Sequence, residues 1–161
     1  MKKKGLSHAG PDGRARMVDL SGKEETDRYA RAEAVVRLGP EAARLLADTG
    51  SAGKGDPLET ARIAGVMTAK RTPEWIPLCH PIPLDHVDLE ARLDGERVRI
   101  VCAVSCRART GVEMEAMTGA AAAALTVYDM CKSAGKGIVI ETVRLLEKRG
   151  GKSGDWTARA D

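Results

Sequence analysis

Asp129 and Lys132 stand three residues apart near the end of an alanine-rich stretch that runs from Thr110 to Lys132. On a helix that spacing is about 60° around the axis, so carboxylate and ammonium share a face and can exchange a proton with a bound molecule. An ordinary i,i+3 ion pair would account for Lys132, whose charge suits the last turn of a helix. It does not account for Asp129, because a carboxylate is disfavoured at that end of the helix dipole. Glu113 and Glu115 stand at the other end of the stretch. Thr110-Gly111-Val112-Glu113 reads as a capping box, which explains Glu113; Glu115 has only the general benefit of the dipole. His80 lies in Leu78-Cys79-His80-Pro81, where prolines on both sides hold an imidazole in place at low entropic cost. Lys54, between Gly53 and Gly55, precedes a helix start at Asp56, where backbone N–H groups favour anions; Lys152 sits in a similar Gly-Gly-Lys-Ser-Gly run. Neither has the spacing of a Walker loop. Cys79 beside His80 raises the question of zinc, but Cys102 and Cys106 are four apart on a strand and His8 is remote. Without two closely spaced ligand pairs, no metal is expected.

Several elements must position these groups. Residues 1–16 read as a mobile arm, 17–147 as a single catalytic domain and 148–161 as a flexible Gly/Lys-rich tail. A strand is expected over Arg31–Leu38, and a short helix from Pro40 to about Ala47. Asp56 with Glu59 caps a helix to about Arg71. Four prolines in the thirteen residues from Thr72 to Leu84 make a stiff extended loop. Val87, Leu89, Ala91 and Leu93 then alternate with polar residues, Asp94-Gly95 turns the chain, and Val98 to Cys106 alternate again. The long helix follows, ending near Gly135, and a last strand covers Gly137–Leu146. This order predicts an α+β, ferredoxin-like β-α-β-β-α-β sandwich: a four-stranded antiparallel sheet with helices on one face. The long helix carries no charge between Glu115 and Asp129, so its middle should be buried on most sides.

Composition narrows the function classes. The chain has 161 residues, enough for one domain with a real core, and a net charge of only +3. Aromatic residues make up 2%, too few for a nucleic-acid stacking platform, so no nucleic-acid partner is expected. Nothing reaches membrane-spanning length, and the basic start lacks an apolar signal core. A cytoplasmic location with four reduced cysteines is expected. The absence of Asn and Gln fits a thermophilic source, and equally a biased codon usage.

Over nearly its whole length, from Met17-Val18-Asp19 to Gly154-Asp155-Trp156, the chain resembles the cyclic pyranopterin monophosphate synthase family of molybdenum cofactor biosynthesis (accessory protein C). The segments that carry the resemblance include Lys54-Gly55-Asp56, Thr60-Ala61-Arg62-Ile63-Ala64-Gly65, Ile76 to Pro81, Thr110 to Ala116, Tyr128-Asp129-Met130-Cys131-Lys132 and Gly150 to Asp155. The resemblance implies a ferredoxin-like fold assembled as a homohexamer, a trimer of dimers, with no cofactor. It implies an enzyme that rearranges 3′,8-cyclo-7,8-dihydroguanosine triphosphate, derived from GTP, to cyclic pyranopterin monophosphate and pyrophosphate. Asp129 and Lys132 take the catalytic positions of the family motif. Leu78, Cys79, His80, Met114 and Glu115 take substrate-binding ones, and Lys54 and Glu113 line the same pocket. Lys132 and Lys54, with pKa values lowered by burial and by each other, would serve as general acid and base. Arg28, Lys23 and Lys152 are candidates for the triphosphate. A nucleotide-binding regulatory module and a metal-dependent hydrolase are the competing classes.

Glu115 and Asp129 are fourteen residues apart, about 21 Å along one helix axis. One subunit could hardly grip a single substrate with both ends. Gly119 and the run Ala120–Ala124 are small enough for two such helices to pack antiparallel across a two-fold axis, which would join one start to the other's end.

Overall fold

The computed structural model describes residues 12–49 and 55–159. Lys54, His8 and most of the expected N-terminal arm lie outside the described residues. Strand β1 (Thr26–Arg37) is followed by helices α1 (Pro40–Thr49), α2 (Pro57–Ala69) and α3 (Thr72–Trp75). Strands β2 (His86–Asp94) and β3 (Arg97–Ala108), helix α4 (Glu113–Cys131), and strands β4 (Val139–Arg149) and β5 (Trp156–Thr157) complete the chain. The strand order is β2-β3-β1-β4-β5, antiparallel throughout.

The period-two pattern did select the buried face. Leu89, Val98, Ile100, Cys102, Val104 and Cys106 point into the core, opposite Ala30, Ala32, Ala34 and Val36 of the central strand. Asp94 pairs with Arg97 around a two-residue turn whose first residue, Gly95, has φ +59°, the left-handed conformation a tight hairpin needs there. Three alanines on β1 are fully buried, and their small side chains let α4 lie close over the middle of the sheet. The other sheet face is polar. Glu141 accepts from both Arg37 and Arg97, and Arg144 pairs with Glu33.

Four expectations require correction. The sheet has five strands rather than four, because the chain doubles back after Arg149 and pairs Trp156 and Thr157 with Lys148 and Glu147. Asp155 fixes that reversal by accepting from the Gly150 N–H at 3.0 Å. The proline loop contains one helical turn, α3, since Pro73 falls in the first turn, where its missing N–H costs nothing. The capping box of α4 does not form: Val112 occupies the cap and makes no side-chain bond. That of α2 forms by half. Asp56 accepts from the Leu58 and Glu59 N–H groups, while Glu59 grips Arg62.

The fourth correction concerns the small residues of α4. They are consumed inside one chain rather than offered to a partner helix. Ala120, Ala123 and Ala124 are fully buried, and Gly119 meets Gly65 of α2. A Cβ on Gly119 would stand 2.7 Å from the Cys102 Sγ, and one on Gly65 would stand 2.7 Å from the Gly119 carbonyl oxygen. The helices therefore touch backbone to backbone. What α4 and its neighbours leave outside is larger and apolar: Leu125, Tyr128, Ile63, Met67 and Trp75, each at least 40% exposed.

Candidate active site

Two adjoining cavities open at the N-terminal end of α4. The larger, about 800 Å³, is lined by Lys23, Arg28, Arg109, Lys148 and Lys152, with Thr110, Gly111 and Glu113 at its inner edge. The smaller, about 270 Å³, is lined by Leu78, Cys79, His80, Met114 and Glu115. Lys23, Thr110, Gly111 and Glu113 border both, so the two are lobes of one cleft.

The first lobe is cationic by construction. Arg28 is held in place by donating from Nε to the Ala108 carbonyl at 3.2 Å. Gly151 then lies directly against its guanidinium, where a Cβ would stand 2.0 Å from Nη1, and its φ of +79° also favours glycine. This contact brings the Gly150–Ser153 turn, and Lys152 with it, to the lobe's wall. Lys148 donates to the Ser153 hydroxyl at 2.6 Å and lies 3.4 Å from the Glu113 carboxylate. Free of any capping duty, Glu113 joins the two lobes. Converging positive charge of this kind suits an anion with several phosphate oxygens.

The second lobe is less polar and carries a carboxyl. Glu115 is 3% exposed, and its pKa is pushed up to about 7, chiefly by burial and further by the charge of Glu113. The Cys79 thiol above it is also pushed up, by burial and by Glu115. Burial raises Cys102 to about 12 and Cys106 to about 11, so these are inert core thiols. All four cysteines are free. Among the described residues, no group of three or more His, Cys, Asp or Glu is arranged to hold a metal ion. No helix among them is long and apolar enough to cross a membrane.

Asp129 and Lys132 lie elsewhere. Asp129 borders a third, shallow hollow of about 290 Å³, with Ala64, Thr68, Trp75, Ala122, Leu125 and Thr126. The Lys132 ammonium donates to Asp129 Oδ1 at 2.5 Å, and both side chains are more than half exposed. This corrects the expected lysine chemistry: the hydrogen bond and charge of Asp129 raise the Lys132 pKa instead of lowering it. The structure thus brings together Lys23, Arg28, Leu78, Cys79, His80, Glu113, Met114, Glu115 and Lys152, and leaves Asp129 and Lys132 at the far end of α4. Sequence reasoning missed Arg109 and Lys148. Arg109 directly precedes the Thr110 motif, and Lys148 was assigned to a flexible tail. Had β4 been continued to Arg149, its alternation would have made Lys148 a structured position.

The MoaC family model matches residues 17–151 of this chain. A curated relative named cyclic pyranopterin monophosphate synthase, from Bordetella avium, is 56% identical over 153 residues that cover 94% of each chain. One of the same name from Rhodospirillum rubrum is 51% identical over 156 residues, covering 96% of this chain and 93% of its own.

Proposed function

Because this chain belongs to the MoaC family, we propose that it is a cyclic pyranopterin monophosphate synthase of molybdenum cofactor biosynthesis. Its substrate is (8S)-3′,8-cyclo-7,8-dihydroguanosine 5′-triphosphate, and its products are cyclic pyranopterin monophosphate and pyrophosphate. The observation that carries this assignment is the two-lobed cleft. Its cationic lobe suits a triphosphate, and its carboxyl-floored lobe, with the Glu115 side chain buried, suits the N–H-rich edge of a guanine-derived ring.

Each group then has a task. Lys23, Arg28 and Lys152, joined by Arg109 and Lys148, hold the phosphates and stabilise the departing pyrophosphate. Glu115 accepts from the ring edge as a carboxylate, while Leu78, Met114 and Cys79 flank the ring and His80 reaches the ribose or a phosphate. Lys132, which Asp129 keeps protonated, acts as proton donor; Lys54 acts as its counterpart in acid–base exchange.

Asp129 and Lys132 reach the cleft from a second copy of the chain. The apolar surface beside Asp129, with Leu125, Trp75, Ile63 and Met67 exposed around it, supplies the contact area for that copy. The working assembly is a homohexamer, a trimer of dimers, of ferredoxin-like subunits, in which β5 extends the usual four strands. It operates in the cytoplasm, where the free thiols stay reduced. Incubation with the cyclised nucleotide is expected to release pyrophosphate and to leave a product that becomes a fluorescent pterin on oxidation. Tight binding with neither product would instead mark a nucleotide-binding regulatory module.

A further inference from the structure

We propose that the buried hydroxyl pair Thr72–Thr118 is a positioning device that sets the Leu78–His80 wall of the cleft against the Glu115 turn. The two residues belong to different elements, α3 and α4, and are 0% and 5% exposed. Their Oγ1 atoms are 2.6 Å apart. On one side, the Thr118 hydroxyl lies 2.8 Å from the Met114 carbonyl oxygen and 3.3 Å from that of Glu115, the backbone of two cleft residues. On the other, the Thr72 hydroxyl lies 3.0 Å from the Ala69 carbonyl oxygen at the end of α2. The path continues along the main chain: the Ile76 N–H donates to the Thr72 carbonyl, and the Cys79 N–H donates to the Ile76 carbonyl.

With Thr118 donating to the Met114 carbonyl and Thr72 donating its single proton to Thr118, hydrogen bonds and the intervening main chain link the Glu115 turn to Cys79. The proline loop has little regular structure beyond α3 and needs such a tie, because its prolines stiffen it without fixing where it lies. Thr118 already satisfies its hydroxyl on its own helix, so the tie to Thr72 adds register between elements rather than solving a burial problem.

The test is Thr72→Val/Thr118→Val, which replaces both hydroxyls by methyls of similar shape and leaves neither partner orphaned. The thermal midpoint should stay near wild type. Amide exchange over residues 76–82 should accelerate at least about ten-fold, with α4 and the sheet unchanged. The activity arm rests on the proposed synthase function: KM for the cyclised nucleotide should rise about ten-fold with a smaller change in kcat, as expected when a binding wall is misplaced. Thr118→Ser, which keeps the hydroxyl, should leave both at wild-type values. Wild-type exchange over 76–82, or faster exchange with unchanged KM, overturns the proposal. If wild-type protein does not turn over the nucleotide, the synthase assignment fails by itself and the exchange measurement alone decides. Should the double variant not fold, Thr72→Ala is measured against the same outcomes.

Discussion

Replacing Lys132 by alanine is expected to lower kcat on the cyclised nucleotide about 10²–10⁴-fold, the usual span for losing a positioned proton donor. Binding should change little, since in the proposed assembly the other copy's cleft residues hold the ring and phosphates and Lys132 adds only the proton. Stability should not change either, because the Lys132–Asp129 pair is mostly exposed. Asp129→Ala should follow the same pattern more mildly. It removes the partner that keeps the ammonium protonated, and the alkaline limb of the kcat profile should move to lower pH. Stopped or steady-state kinetics with circular dichroism as a folding control would measure both. Wild-type kcat in a folded Lys132→Ala protein would remove Lys132 from the chemistry.

Glu115→Gln is expected to show opposite effects on stability and activity. Burial raises the Glu115 pKa from 4.5 in the unfolded chain to about 7 in the folded one, so between these values the folded state holds the extra proton. Stability must therefore fall as pH rises from about 4.5 to about 7 and level off above, at a total cost on the order of 3 kcal/mol. Glutamine removes this dependence. The variant should match wild type near pH 5 and have the higher thermal midpoint at pH 8. Its activity should suffer, because an ionised carboxylate accepting from the ring's N–H groups is lost; kcat/KM should drop by about 10²-fold. Wild-type kcat/KM is expected to rise through pH 7 as Glu115 ionises, and the variant should lack that rise. A variant no more stable than wild type at pH 8 would show that the fold does not penalise the Glu115 charge.

Much of the architecture was legible because its physical causes are local. Alternation at Val87–Leu93 and Val98–Cys106 fixed the buried sheet face, and the uncharged middle of α4 announced a helix enclosed on most sides. Six cleft residues, Leu78, Cys79, His80, Glu113, Met114 and Glu115, were legible through motif resemblance and Lys23, Arg28 and Lys152 through their charge; all nine line the two lobes. What escaped depends on contacts distant in sequence. Glycine at 119 looks like a surface for a partner helix until Gly65, fifty-four residues earlier in the chain, is seen pressed against it. Lys148 looks like part of a tail until β5 pairs with β4 and turns it into a wall. The Thr110–Glu113 cap fits its pattern, yet Glu113 turns to Lys148 instead. The lysine pKa was misjudged in sign because burial was expected, whereas Lys132 is more than half exposed and hydrogen-bonded to Asp129.

The expectation of a site shared between copies now stands on different residues. The alanines that first suggested helix pairing are buried within the chain, whereas Asp129 lies at an apolar hollow about 21 Å along α4 from Glu115. The most direct test is to mix two variants that are each nearly inactive, Lys132→Ala and Glu115→Gln, by co-expression with separate tags and purification through both. If one chain supplies the cleft and another the Asp129–Lys132 end, random pairing leaves about one quarter of the sites intact. The mixed assemblies should then recover about that fraction of wild-type activity. Activity no greater than the sum of the separate variants would contradict the account and place every catalytic group within one chain.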